Sequence, residues 1–156
     1  MSNKQTSTRS SIVSPRRRSL MLASAGVMGA GLVGLPALSR AEETIKVGIL
    51  QPFSGGLEAL GEQGGQATRL ALEEVNESGG LLGGRMFEMI RADTKTDPKT
   101  AVERTNELIR RYRVNAIIGP VTSAERDAIR PLVERYKTPL LYATDYEGGT
   151  CSRYIT

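Results

Sequence analysis

Two groups of polar side chains near the C-terminal end of the chain are the best candidates for chemistry. Each group follows a short apolar run, and together they comprise Thr122, Ser123, Tyr142, Thr144, Tyr146 and Glu147. These hydroxyl, phenol and carboxylate groups supply hydrogen-bond donors and acceptors. The usual general base of a nucleophilic site is missing, because the 156 residues contain no histidine. The residue types therefore predict that a small dipolar molecule is bound and not chemically converted.

The first group lies where a buried strand is predicted to pass into a helix. Residues 116–118 form an apolar run without alternation, as in a strand covered on both faces, and Gly119-Pro120 ends it. Thr122 and Glu125 have the spacing of a capping box, which begins a helix. Ligands of open parallel sheets bind outside the carboxyl ends of the strands, where helix N-termini present N–H donors. We therefore expect the binding site at this edge of the sheet.

Each candidate also has a purely structural interpretation, which the sequence leaves open. Thr122 or Ser123 can serve only as a helix cap. Tyr142 can be a core residue with its hydroxyl at the edge, Thr144 an ordinary turn residue and Glu147 a solvated loop charge. Convergence of these side chains at one edge of the sheet is what favours a site.

Four strands and three helices are predicted to position these groups. The strands are predicted at residues 45–50, 86–93, 116–118 and 140–142, and residues 153–156 resemble the start of a fifth. The helices are predicted at residues 66–78, 97–112 and 122–136; Asp97-Pro98 supplies the second N-terminus, and Pro131 predicts a kink or restart in the third. The alternation indicates right-handed βαβ units, so the fold class is α/β, a doubly wound parallel sheet with helices on both faces.

The glycine-rich segment 51–65 is predicted to be a long turn between the first strand and the first helix. Gly56, Gly61, Gly64 and Gly65 do not keep the G-x-G-x-x-G spacing, which argues against a dinucleotide site. A flexible turn that lets a ligand approach the backbone is the alternative.

Residues 1–41 differ in composition from the rest and are predicted to be an export signal. Arg17-Arg18 followed by a spacer and two apolar residues has the twin-arginine arrangement, and Ser39-Arg40-Ala41 predicts cleavage before Glu42. An uncleaved membrane anchor and a signal for the general export route are the alternatives. Residues 42–156 are then predicted to form one modest α/β ligand-binding lobe in the periplasm.

The charge distribution argues against a nucleic-acid partner. Six of the 21 basic residues and none of the 17 acidic residues lie in residues 1–41, so residues 42–156 carry a net charge of −2. Cys151 is the single cysteine, so no intrachain disulfide is possible, and we expect it to be half-buried near a strand start. No residue cluster indicates a metal or another cofactor.

Three stretches, taken in order, resemble one protein family. They are residues 45–55, residues 71–85 (ALEEVNESGGLLGGR) and residues 117–149 (IIGPVTSAERDAIRPLVERYKTPLLYATDYEGG). They resemble the type I periplasmic solute-binding proteins of ABC importers, in the branch that holds the branched-chain amino acid, urea and short-chain amide binders. The resemblance implies two α/β lobes closing on a ligand, of which this chain covers only the first. It therefore resembles a fragment, which we expect to bind its solute weakly.

The resemblance assigns roles to individual residues. Ser123 matches the serine that holds the ligand's carboxylate or carbonyl oxygen, Tyr142 and Thr144 match pocket positions of the amide and urea binders, and residues 146–148 match their Y-E-G turn. Val121 and Asp145 depart from those relatives, so an amino acid is as open as urea or an amide. The implied partner is a membrane permease, and we expect a monomer without a cofactor. An exported hydrolase and a ligand-sensing domain reporting to a receptor are the competing hypotheses.

Overall fold

The computed structural model describes residues 44–144 and 146–156. The export signal predicted at residues 1–41 and the candidate Asp145 therefore lie outside the described residues. The elements are β1 (Ile45–Gln51), α1 (Glu58–Glu77), β2 (Phe87–Asp93), α2 (Pro98–Glu107), a π-helical turn (Leu108–Tyr112), β3 (Ala116–Ile118), α3 (Ser123–Tyr136) and β4 (Leu140–Leu141). Within the described part of the chain, no helix is both long and apolar enough to cross a membrane.

The four strands form one parallel sheet in the order β2-β1-β3-β4. Ile155 adds a parallel bridge beside Leu140, and the Tyr142 amide donates to the Thr156 carbonyl at 2.7 Å. Residues 154–156 therefore pair with β4, which agrees with the extended segment predicted at residues 153–156. The parallel α/β class is confirmed.

Alternate residues of β1 face helices on opposite sides of the sheet. On one side, a Cβ added to Gly48 would lie 2.8 Å from the Leu108 side chain. On the other, Ile49 lines a depression with Gly65 of α1. The core lies on the side of α2 and α3, where its most buried members are Leu50, Leu108, Ile117, Ile129, Val133 and Leu140. Helices thus cover both faces, and the larger buried cluster lies under two of them.

The start of α1 was wrongly predicted, because its glycines resemble a loop in sequence. The helix begins at Glu58 and not near residue 66. Gly61 and Gly65 are its buried residues: a Cβ at Gly61 would lie 2.0 Å from the Pro52 carbonyl oxygen, and one at Gly65 2.8 Å from the Phe53 ring. Glycine lets the helix pack closely against the turn after β1, and this contact outweighs its poor helix propensity. The apolar Leu70 on the same helix is 59% exposed.

The ends of the other helices follow the sequence. The Asp97 carboxylate accepts from the Thr100 amide at 2.7 Å, and Pro98 occupies the first turn of α2. The second helix is predicted to run to residue 112, and its last turn, Leu108–Tyr112, is π-helical and is followed by Arg113 in the left-handed conformation. α3 begins with the predicted capping box and runs through Pro131 to Tyr136, so the helix does not restart there. Cys151 is exposed and free, which corrects the half-buried position expected for it.

A carboxylate at the end of β2 fixes the turn that follows β1. Asp93 accepts hydrogen bonds from the Ser54 hydroxyl at 2.7 Å and from the amides of Phe53 and Lys95 at 2.9 Å each. Burial acts to raise the pKa of Asp93, but these hydrogen bonds outweigh it and hold the pKa below its usual value. The ionised carboxylate is therefore the form that stabilises this turn.

The variant Asp93→Asn tests that contribution. A depressed pKa in the folded state stabilises the fold above the unfolded-state pKa, and this stabilisation is lost as the pH falls through the folded-state pKa. We expect the variant to lose about 1–2 kcal/mol of unfolding free energy at pH 7, and the difference from wild type to shrink toward about pH 3. Urea titrations at several pH values measure this, with Glu103→Gln as an exposed control. A difference that stays constant to acid pH would contradict the role of the ionised form.

Candidate ligand-binding site

The turn from Gly119 to Ser123 lies together with residues 142–144 and 146–150 at the carboxyl edge of the sheet, and we call these residues the rim. Gly119 has a φ of 113°, and its amide donates to the Leu141 carbonyl at 3.0 Å. A Cβ there would lie 1.8 Å from the Leu50 carbonyl oxygen. The turn therefore passes tightly over the end of β1 and beside β4, which is where the sequence places the site.

Two of the predicted site residues are tied directly to this turn. The Tyr142 hydroxyl donates to the Val121 carbonyl at 2.9 Å, and the Thr144 hydroxyl donates to the Pro120 carbonyl at 3.3 Å. Tyr142 is 6% exposed, so its ring is also a core residue. The structure brings both residues to the same turn, but each hydroxyl hydrogen is already used on a backbone carbonyl.

Thr122 and Ser123 form the start of α3. The Thr122 oxygen accepts from the Glu125 amide at 3.2 Å, and Glu125 Oε2 accepts from the Thr122 amide at 3.1 Å, which completes the capping box. The Ser123 hydroxyl donates instead to Glu147 Oε2. Thr122 thus has the structural role that the sequence left open, whereas Ser123 points toward the second segment of the rim.

Arg126 is a functional candidate that the sequence reasoning missed. Its side chain is 3% exposed, and its guanidinium carbon lies 5.0 Å from the centre of the Tyr142 ring and 5.2 Å from that of Tyr146. Nε donates to Asp127 Oδ1 at 3.1 Å, and Nη1 lies 3.5 Å from Glu147 Oε2. Because Arg126 follows Ser123 by three residues on a helix, the two lie on one face. This three-residue spacing in the sequence could have identified Arg126 as a neighbour of Ser123.

The charges of this cluster stabilise one another. Burial acts to lower the pKa of Arg126, but the hydrogen bond and charge of Asp127, with smaller effects from Tyr142 and Glu147, raise it. The hydrogen bond from Ser123 is the largest effect holding the pKa of Glu147 below its usual value, and the charge of Arg126 adds to it. Both groups are therefore charged at neutral pH.

Tyr146 closes the loop of the second segment. Its hydroxyl donates to the Thr150 carbonyl at 2.5 Å and accepts from the Thr150 amide at 3.1 Å. The Thr150 hydroxyl donates to Asp127 Oδ1 at 3.1 Å, which ties the loop to α3. Tyr146 itself is 53% exposed. The ring is thus held in place while most of its surface stays available.

Two separate cavities adjoin the rim, so the predicted residues do not line a single one. The first, of about 210 Å³, is lined by Tyr142, Tyr146, Thr150, Ile155 and Thr156. The second, of about 300 Å³, lies between α1 and the sheet and is lined by Gln51, Leu60, Gln63, Gly64, Ala67, Thr68, Ile118, Val121, Ala143 and Thr144. Every residue lining either cavity is uncharged. Arg126 of α3 and Glu147 of the rim, which are charged, therefore lie outside both cavity linings.

Solved structures with this arrangement of strands and helices include several solute-binding proteins. The branched-chain amino acid transporter substrate-binding protein of Streptococcus pneumoniae, in complex with isoleucine, superposes with a TM-score of 0.64 at 30% identity. The alignment covers 68% of this chain and 30% of that one. A solute-binding protein of an ABC transporter from Rhodopseudomonas palustris, in complex with 3,4-dihydroxybenzoic acid, superposes with a TM-score of 0.61 at 30% identity, over 72% of this chain and 31% of that one.

Sequence comparison gives the same group of proteins. A Leu/Ile/Val-binding protein homologue from Brucella abortus is 36% identical over 107 residues, which is 69% of this chain and 25% of the relative. The chain thus spans about a quarter of the length of that relative. Residues 44–156 match the family model described as periplasmic binding protein. The chain therefore belongs to the periplasmic binding protein family.

Proposed function

We propose that this chain is part of the substrate-binding component of an ABC importer. It would capture a small polar solute (an amino acid, urea or a short-chain amide) in the periplasm and present it to a membrane permease. The relatives are solute-binding proteins, which supports a binding role without catalysis. The observation that carries the proposal is the convergence of Ser123, Arg126 and Glu147 at the N-terminus of α3.

The rim offers complementary groups to the two ends of a dipolar solute. The first-turn amides of α3 and the Ser123 hydroxyl are donors for a carbonyl or carboxylate oxygen, and the helix dipole favours negative charge there. Acceptor groups of the 142–150 segment, including the Glu147 carboxylate, suit N–H donors on the solute. Closure of a second lobe over this edge would bury the solute and produce the form that a permease recognises. The solute leaves unchanged, so no residue needs to transfer a proton.

The variant Ser123→Ala tests the proposal on the 156-residue chain. Isoleucine, urea and propionamide are titrated separately into the ¹⁵N-labelled chain, and amide shifts of residues 119–126 and 142–150 are followed by NMR. We expect weak binding of at least one probe, and a loss of about tenfold in affinity on removing a hydrogen bond to a polar ligand group. Ser152→Ala on the same lobe is the control. Probe-induced shifts confined to other surfaces, or turnover of propionamide, would contradict the proposal.

We also infer that the chain is exported through the twin-arginine route. The pair Arg17-Arg18 and the mildly apolar stretch that follows support this. A reporter fused after residue 41 is expected in the periplasm, and its export is expected to fall when both arginines become lysine. Unchanged export of the lysine variant would assign the signal to the general route.

A further inference from the structure

A carboxylate-binding arrangement at the start of α3 is already filled by the chain's own Glu147. The Ser123 hydroxyl donates to Glu147 Oε2, and Arg126 Nη1 lies 3.5 Å from the same oxygen. The N-terminal end of α3 adds its partial positive charge at this position. A hydroxyl, a guanidinium and a helix N-terminus thus converge on one carboxylate oxygen.

The guanidinium shows that this arrangement is more than a helix cap. The Arg126 side chain is 97% buried, yet its Nη1 makes no hydrogen bond within the described residues. Arg126 Nε donates to the Asp127 carboxylate. The centres of the Tyr142 and Tyr146 rings lie within 5.2 Å of the guanidinium carbon. A buried donor without a hydrogen bond costs free energy, so Nη1 is available to a better-placed carboxylate oxygen.

The residue that fills the arrangement, Glu147, is mostly exposed to solvent. The Glu147 side chain is 65% exposed, whereas the groups that contact it belong to the ordered start of α3. Gly148, which follows it, has a φ of 89° and nothing within 4 Å of a Cβ position. The exposure of Glu147 and the open space beside Gly148 leave room for the Glu147 side chain to turn outward into solvent.

The charges around Arg126 determine which solutes Glu147 would repel. Arg126 faces two carboxylates, those of Asp127 and Glu147, and Arg130 acts on Asp127 from the next turn. A carboxylate from a solute would be a third negative group around one guanidinium, unless Glu147 leaves. A neutral carboxamide or urea adds no negative charge, so the carboxylates of Asp127 and Glu147 do not repel it.

We propose that Glu147 is an intramolecular competitor at the α3 carboxylate position, so that the rim favours neutral amides over carboxylates of the same shape. This inference rests on the proposed solute-binding function and names the feature that sets the preference within it. A carboxylate solute must displace Glu147 from Ser123 and Arg126. An amide can leave Glu147 in place, because its carbonyl can accept from the first-turn amides of α3 and its N–H can donate to the Glu147 carboxylate.

Isobutyrate and isobutyramide provide a matched pair of probes, because they have the same shape and differ in charge. Each is titrated into the 156-residue chain and into Glu147→Gln at pH 7 and constant ionic strength, with the Ser123 and Ala124 amides followed by NMR. We expect the variant to bind isobutyrate about threefold or more tightly than wild type, the scale of an exposed ion pair, and isobutyramide no more tightly than wild type. Glu134→Gln, an exposed change on the same helix, is the control and is expected to behave as wild type.

The outcomes separate this inference from the proposed function. If both probes bind at the rim but their affinity ratio is the same in Glu147→Gln as in wild type, the competitor role is wrong and the binding site stands. If neither protein shows shifts at Ser123 or Ala124 with either probe up to about 100 mM, both the site and the competitor role are wrong. Far-ultraviolet circular dichroism of each variant shows that the fold is retained, and Glu147→Ala repeats the test without a side-chain amide.

Discussion

Replacing Gly119 by alanine is expected to cost more than about 3 kcal/mol of unfolding free energy, a large fraction of the total stability of a typical domain. Gly119 has a φ of 113°, a conformation that L side chains rarely adopt. An added Cβ would also lie 1.8 Å from the Leu50 carbonyl oxygen, which is backbone of the central strand and cannot rotate away. Urea unfolding followed by circular dichroism measures the loss.

Gly148→Ala is the matched control for this substitution. Gly148 also has a positive φ, of 89°, but nothing lies within 4 Å of its Cβ position. We expect Gly148→Ala to lower the free energy of unfolding by about 1–2 kcal/mol, the cost of placing an L side chain in this backbone conformation. The difference between the two variants isolates the contact with Leu50. Equal losses would mean that the turn of the rim can move away from β1, and the tight geometry described for it would be wrong.

Ile117→Ala is expected to remove about 2–5 kcal/mol, the range for truncating a large apolar side chain in a packed core. Ile117 is fully buried in the short strand β3, paired with Gly48 on one side and Leu140 on the other. The cavity would open beneath α2 and α3, among the residues that hold the rim in place. The same denaturation experiment measures the loss.

Leu141→Ala provides the comparison on the neighbouring strand. Leu141 is 39% exposed, so truncating it removes less buried area and creates no enclosed cavity. We expect a loss below about 1 kcal/mol. A loss at Leu141 as large as that at Ile117 would mean that the α1 side of the sheet contributes to the core as much as the side under α2 and α3.

The features that local chemistry determines were predictable from the sequence. Apolar runs without alternation predicted β3, and the T-x-x-E and Asp-Pro patterns predicted the starts of α3 and α2. These signals act within four or five residues, so no knowledge of the fold was needed. The alternation of strands and helices along the chain allows few topologies, so a parallel sheet could be predicted from it.

Features that depend on long-range contact were not predictable in the same way. Gly61 belongs in a helix only because Pro52 lies against it, and its residue type alone indicates a loop. The rim shows the same limit. Sequence position brought Tyr142 and Thr144 to the turn, but their use of the Val121 and Pro120 carbonyls, and the burial of Arg126 between two tyrosine rings, depend on the path of the folded chain.

The turn after β1 and the loop that carries Glu147 lie at the same edge of the sheet but are held differently. This difference has a consequence for how the chain can evolve. Asp93 fixes the turn after β1 through several backbone amides, whereas exposed residues form most of the loop that carries Glu147. If a solute binds at the proposed site, a mutation in that loop would alter the groups that the solute contacts while leaving the buried core intact. Under the proposed function, single substitutions that the fold tolerates would therefore be enough to change the solute preference.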